Sequence, residues 1–457
     1  MFDFLLATAQ PSSTICDYSE KCTLGTNKPR CARTRASRIG ACLLILVLLL
    51  PGAPSLRAYS VLTHEAIVDA AWDDAIRPTL LKRFPDATPE ELKEAHAYTY
   101  GGCAIQDVGY YPFGNKLFSD LVHYVRTGDF IEALLRDSSN IDEYAFALGA
   151  LAHDAADTDG HRIAVNRAVP ILYPKLGRKY GPEVTYDEDP AAHLKTEFAF
   201  DVLQVAKGHY APDAYHDYIG FEVSQSLLER AFKETYSLDL KSLFTDYDLT
   251  IGTYRRGVSQ VIPEMTKVAW QLKKDDIRKD IPGVTRQKFL YHLSRADYEH
   301  QWNTKYKKPG FGARLLAFLT RLIPKIGPFR TLTLRVPTPE TDKLFMASFN
   351  ATLHDYEGSL REERESGKVD LVNDNFDTGT TTRLGEYPLA DKTYAELLNR
   401  LASSHFKDVS TELRTDLLDY YSTSKPPPSR KKDMKGWERT KRQLDELKAF
   451  TTEKAGP

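Results

Sequence analysis

The chain has 457 residues, 42% hydrophobic and 27% charged, which is apolar material enough for one large helical domain with appendages or for two or three ordinary domains. Its formal net charge is −2, yet residues 1–58 hold seven Lys/Arg against three Asp/Glu, so the remainder sits near −6. An acidic body of this kind lacks the basic surface that a nucleic-acid polyanion requires.

The first element is a leader. Arg33, Arg35 and Arg38 precede an apolar run from Ala41 to Leu50, followed by Pro51, Gly52, Pro54 and the small residue Ala58. A positive flank, an apolar run and helix breakers before a small residue form an export signal, with cleavage expected after Ala58. The run is shorter than the roughly 20 apolar residues of a membrane span. The chain is therefore expected to be exported, secreted or periplasmic, and membrane-anchored if the signal is retained. Cys16, Cys22, Cys31 and Cys42 all lie in the leader, so a mature chain starting at Tyr59 keeps only Cys103 and has no internal disulfide.

Beyond residue 59 the apolar periodicity is helical almost throughout, which places the chain in the all-α class as a multi-helix bundle. Thr88-Pro89-Glu90-Glu91 is a capping box with proline at the first helical position. Apolar spacing predicts helices within 142–156, 190–206, 217–233 and 254–272, with loops at 181–190 and 207–215. The break Lys307-Lys308-Pro309-Gly310 separates a main domain, 59–305, from a C-terminal helical extension, 306–424. Within the extension, 311–329 carries Leu315, Leu316, Phe318, Leu319, Leu322 and Ile323 at helical spacing, with Arg314, Arg321 and Lys325 as its only charges. Such a segment is a core helix or a surface helix suited to peripheral contact with an anionic membrane. Residues 366–388 read as loop. In 425–457 a Pro/Lys-rich linker leads to a charged terminal helix at about 435–449.

Candidate chemistry gathers in His64, Asp107, His123, His153, Asp157, His161, His193 and Glu197. His153, Asp157 and His161 recur at four-residue steps, and His193 and Glu197 stand four apart. On a helix, residues so spaced lie one turn apart on nearly one face, so the first three form a single stripe if the helix continues. Imidazole nitrogen and carboxylate oxygen are ligands that zinc takes in catalytic sites. Facing helices with such pairs build metal clusters. One pair alone is commonly a surface ion pair. Asp157, however, closes the otherwise apolar segment from Leu148 to Asp157, where a charge without a partner is costly.

In its order His, Asp, His, His-x-x-x-Asp, His, His-x-x-x-Glu, the sequence resembles the zinc-dependent phospholipase C family and is similar to the related fungal and plant zinc single-strand nucleases. The resemblance implies a helical bundle of that type, with 59–305 as the catalytic domain and a cluster of three Zn2+ ions. It implies that His123, His153 and Asp107 hold one ion, and that His161, His193 and Glu197 hold a second. His64 and the amino and carbonyl groups of a terminal Tyr59 would hold the third, with Asp157 bridging it to the first. Asp107 is also the candidate for orienting or deprotonating the attacking water. The sequence departs from the family at Tyr59, where the nuclease branch usually has Trp, and at Asp154, where an apolar or aromatic residue is usual.

The implied activity is hydrolysis of a phosphoric ester, first of all a glycerophospholipid cut to diacylglycerol and a phosphorylated head group. Tyr110, Tyr111 and Phe113 either line an apolar, choline-holding pocket or belong to the core. Three other readings stay open: a single-strand nuclease using the same chemistry, an HD-type phosphohydrolase built on His153-Asp154, and a non-catalytic exported helical protein with a degenerate metal site.

Overall fold

Capping chemistry sets several helix starts. Thr88 Oγ1 accepts from Glu91 N–H while the Glu91 carboxylate accepts from Thr88 N–H, the reciprocal box expected from the sequence. Asn140 accepts from Glu143 N–H and starts the longest buried helix of the bundle, Ile141–Asp159. Asn115 does the same for Lys116–Tyr124.

The computed structural model describes residues 61–111, 113–207, 222–256, 335–422 and 433–450, with single positions in 270–286 and at 426–427. The leader, Tyr59, most of the helix expected at 254–272 and the whole of 311–329 lie outside the described residues. In chain order the helices are α1 (Val61–Ala71), α2 (Arg77–Arg83), α3 (Pro89–Ile105), α4 (Lys116–Tyr124), α5 (Thr127–Asp137), α6 (Ile141–Asp159), α7 (Asn166–Leu172), α8 (Pro174–Tyr180) and α9 (Pro190–Lys207). There follow α10 (Gln225–Tyr236), α11 (Leu240–Leu243), α12 (Tyr247–Arg256), α13 (Pro339–Ser366), α14 (Pro388–Ser403), α15 (Thr411–Tyr420) and α16 (Met434–Ala449). The fold is an all-α bundle. Its one sheet among the described residues is a two-residue antiparallel ribbon, pairing Asp374 with Thr381 and Asn375 with Thr380. No helix among the described residues is long and apolar enough to cross a membrane.

α6 is buried along nearly its whole length, and its middle, Tyr144 to Ala152, is apolar on every side as full burial requires. It packs against α1, α3, α5 and α13. Two glycines let α3 and α6 touch backbone to backbone: a Cβ on Gly102 would lie 1.9 Å from Phe146 O, and one on Gly149 would lie 2.0 Å from Thr99 O.

The helices read from sequence as a C-terminal extension pack directly on the helices before them. α13 lies on α6 and on the turn that follows it, and α14 lies on α4 and α16. Helix α10 begins at Gln225; of the stretch expected to be helical, 217–221 lie outside the described residues and 222–224 are not helical. There Glu222 N–H donates to Ala97 O at 2.9 Å. The charged terminal helix buries Trp437, Thr440, Leu444 and Leu447 along one face, leaving its charges on the other.

Candidate metal centre

Six elements converge on one interior point. α1 carries His64, and a 3-10 turn after α3, Gln106–Tyr110, carries Asp107. The last turn of α4 carries His123, α6 carries His153 and Asp157, a π-helical turn Gly160–Val165 carries His161, and α9 carries His193 and Glu197. All eight side chains are at most 2% exposed. Their donor atoms form three groups, each within 4.8 Å: His64, His153 and Asp157; Asp107, His123 and His153; His161, His193 and Glu197.

The four-residue steps at 153, 157 and 161 suggest one stripe, and the structure breaks it. The backbone widens from α to π just after Asp159, turning His161 off the line of His153 and Asp157 and onto the group with His193 and Glu197. His161 thus leaves the stripe by a local change of helix type.

Backbone carbonyls fix the imidazoles. His153 Nδ1 lies 2.7 Å from Cys103 O, a contact made possible by the glycine crossing of α3 and α6. His123 Nδ1 lies 2.7 Å from Ser119 O, and His193 Nε2 lies 2.5 Å from Val184 O. A carbonyl can only accept, so each of these nitrogens carries the proton and the other ring nitrogen offers a lone pair in the neutral ring. Those nitrogens face carboxylates. His153 Nε2 is 3.2 Å and His123 Nε2 is 3.3 Å from Asp157 Oδ2. His123 Nε2 is also 3.4 Å from Asp107 Oδ1, and His193 Nδ1 is 3.4 Å from Glu197 Oε1. His64 Nε2 stands 3.4 Å from Asp157 Oδ1.

A lone pair opposite a carboxylate is repulsive unless a cation, whether a proton or a metal ion, lies between them. Asp107 Oδ1, both oxygens of Asp157, His193 Nδ1 and Glu197 Oε1 are buried without a hydrogen-bond partner, a costly state for polar atoms with nothing to bind. Two atoms each ~2.0–2.2 Å from one tetrahedral ion are ~3.3–3.6 Å apart, close to the separations found here. The residues present fit zinc.

Electrostatics point the same way. Burial opposes the charged form of Asp157, but the neighbouring imidazoles, His153 first, hold its carboxyl well below the usual range. Burial alone would lower His123, yet Asp107 and Asp157 together raise it to about 10. Burial lifts Glu197 to about 7 against the pull of His193. The acids draw positive charge into a dry interior.

Of the three pocket candidates, Tyr110 has its ring 5.6 Å from His123 and its hydroxyl donates to Asp120 at 3.2 Å. Tyr111 packs edge-on against Tyr254. Phe113 is 42% exposed, with φ at +69° and its carbonyl accepting from Thr250. Asp154, which the HD-type reading needs as a ligand, belongs to none of the three groups; the group with His153 is completed by Asp157, one turn on. Asp154 is half-buried, and burial lifts it to about 7.

Sequence reasoning missed Asp201. This fully buried carboxylate accepts from Leu62 N–H at 3.1 Å and from Thr63 Oγ1 at 2.6 Å, anchoring the first turn of the helix that carries His64. The signal was present, since Asp201 continues the four-residue steps from His193 and Glu197.

Residues 63–246 match the family model described as zinc dependent phospholipase C. The match spans all eight residues of the centre and ends before α13. No curated protein and no solved structure matches the chain.

Proposed function

Through residues 63–246 this chain belongs to the zinc-dependent phospholipase C family, and from that premise we propose that it is an exported phospholipase C cleaving glycerophospholipids to diacylglycerol and a phosphorylated head group. The observation that carries the reading is the gathering of eight buried donors into three adjoining groups, with lone pairs facing carboxylates.

In this reading His123, His153 and Asp107 hold one zinc, and His161, His193 and Glu197 hold a second. His64, with Asp157 shared and Tyr59 as the first residue of the mature chain, holds a third. Bound zinc supplies an acidified water and offsets charge on the phosphoryl oxygens. The chain's own residues do the rest. Asp107 would also orient or deprotonate the attacking water. Cys103 O and Ser119 O keep the His153 and His123 rings aimed at the centre. The Tyr110 ring, buried beside His123 with Lys116 Nζ 5.9 Å from its centroid, packs against that imidazole.

Metal analysis of the purified mature chain, run with phosphatidylcholine, single-stranded DNA and a chromogenic phosphodiester, tests the proposal. About three zinc ions per chain are expected, with diacylglycerol released from the lipid and the activity lost to chelation and restored by zinc. Cleavage of DNA with the lipid untouched would move the assignment to the nuclease reading. A chain that holds no zinc would overturn both.

A further inference from the structure

The stretch from Asn373 to Tyr387 lies far beyond the matched residues, yet it reaches the metal centre. Phe376 N–H donates to His123 O at 3.2 Å, and its fully buried ring lies 5.4 Å from the His123 ring and 6.1 Å from that of His153. Next to it, the buried Asp377 carboxylate accepts from Tyr124 OH at 2.9 Å and from Tyr387 OH. Asp377 O accepts from Asn166, just beyond the π turn that carries His161, at 2.7 Å.

The loop is fastened at both ends of this contact. Thr127 Oγ1 donates to Asp374 O at 2.8 Å, and Asp129 N–H donates to the Asn373 side chain at 3.1 Å. On the other side Gly379, at φ +62°, runs so close to α6 that a Cβ there would lie 2.9 Å from Thr158 O. One short loop thus ties together the end of α4, the end of α6 and the segment after His161.

We infer that this loop is a working part of the metal centre, with Phe376 and Asp377 as positioning residues that hold His123 and His153 for zinc. Rings that must meet one ion cannot swing independently. Nδ1 of each is fixed by a carbonyl, which leaves rotation and tilt to be limited by what packs around the ring. The Phe376 ring meets both imidazoles of the Asp107 group at once, tilted against each, while His64 stacks on the face of His153. Asp377 holds Tyr124, the neighbour of His123 in the chain, and so fixes the last turn of α4 on which His123 stands. Outer contacts of this kind affect metal affinity by about 10–100-fold. The family's ligand set therefore depends, in this chain, on residues from outside the family's own stretch.

The inference rests on the reading that the three groups hold zinc, and the experiment separates the two. Full-length mature protein is prepared as parent, Phe376→Ala, Phe376→Leu and the core control Leu447→Ala, whose side chain is fully buried in α16, a helix packed on α14 and α15. Zinc affinity is read by chelator competition, cobalt-substituted protein is read by its visible absorption, and melting temperature is recorded for each. Zinc affinity is expected to fall by about 10-fold or more in Phe376→Ala and less in Phe376→Leu, with an altered cobalt spectrum in both. Leu447→Ala should melt lower with zinc affinity and cobalt spectrum unchanged. If Phe376→Ala does not fold, Phe376→Leu decides. Parent affinity and a parent cobalt spectrum in Phe376→Leu overturn the inference, as does an equal zinc loss in Leu447→Ala. A parent chain without zinc overturns the metal reading and this inference with it.

Discussion

Replacing Gly149 by alanine should damage the metal centre from a distance, through the crossing of α3 and α6. The added Cβ would lie 2.0 Å from Thr99 O, 2.8 Å from Thr99 C and 2.9 Å from Cys103 N, all backbone atoms that no rotamer change can clear. Ordinary contact begins near 3.4 Å, so the two helices must part by ~1.4 Å at this point, the difference between that contact and the present 2.0 Å. Cys103 is the next turn of the same contact, and a shift of that size stretches the 2.7 Å bond from His153 Nδ1 to Cys103 O beyond hydrogen-bond range. Overpacking costs about 1–3 kcal/mol, and loss of a buried hydrogen bond adds about 1–3 kcal/mol. For a unit of this size the total lowers the melting temperature by on the order of 5 °C. The assay is thermal melting with zinc and with chelator, together with zinc content after dialysis. The variant should melt lower in both conditions and should also lose zinc, because His153 serves two of the three groups. A Gly149→Ala protein with parent stability and full zinc would falsify the argument that this glycine is required by close helix approach.

Asp157→Asn should empty two groups and spare one, because Oδ1 faces His64 while Oδ2 faces His123 and His153; metal analysis showing parent zinc content would count against a shared ligand. Asp201→Ala removes the acceptor for Leu62 N–H and Thr63 Oγ1 and should cost about 1–3 kcal/mol by thermal melting, with Asp201→Asn recovering most of it; equal stability of Asp201→Ala and parent would refute the anchor. One extra residue ahead of Tyr59 should sharply reduce activity if the terminal amine is a ligand, and N-terminal sequencing of fully active enzyme that finds another first residue would refute this. Asp416 is raised to about 6, chiefly by burial, with Arg126 opposing. A folded value above the unfolded one gives stability that is complete below about pH 4 and lost as pH rises through about 6. Asp416→Asn should therefore melt higher than the parent at pH 7.5, with the gap closing near pH 4, and a gap that ignores pH would contradict the assignment.

The sequence carries those parts of this molecule that local chemistry decides, and it loses the parts decided by contact between distant segments. Thr88 with Glu91, and the apolar run that makes α6, follow from neighbours in the chain, so the helical class and several boundaries can be read directly. Five of the eight donors can be read too, because His153, Asp157, His161, His193 and Glu197 stand at four-residue steps, while His64, Asp107 and His123 join them only through the order of the family motif. What the spacing cannot convey is helix type. An α-helix through residue 161 would set His161 in the stripe with His153 and Asp157, and only the π turn sends it to the other group. Start positions fail for the same reason: apolar spacing over 217–233 says helix, but the backbone of Glu222 is claimed by Ala97 across α3. The supports of the site are still less visible. Ser119, Cys103 and Val184 act through carbonyl oxygens that every residue possesses, so no residue type marks them. Phe376 and Asp377 come from a stretch that reads as loop, since their role is defined by where the chain returns and not by any local period. A metal centre built on buried helices thus declares its ligands in sequence, while the contacts that aim those ligands emerge only when the chain has closed on itself.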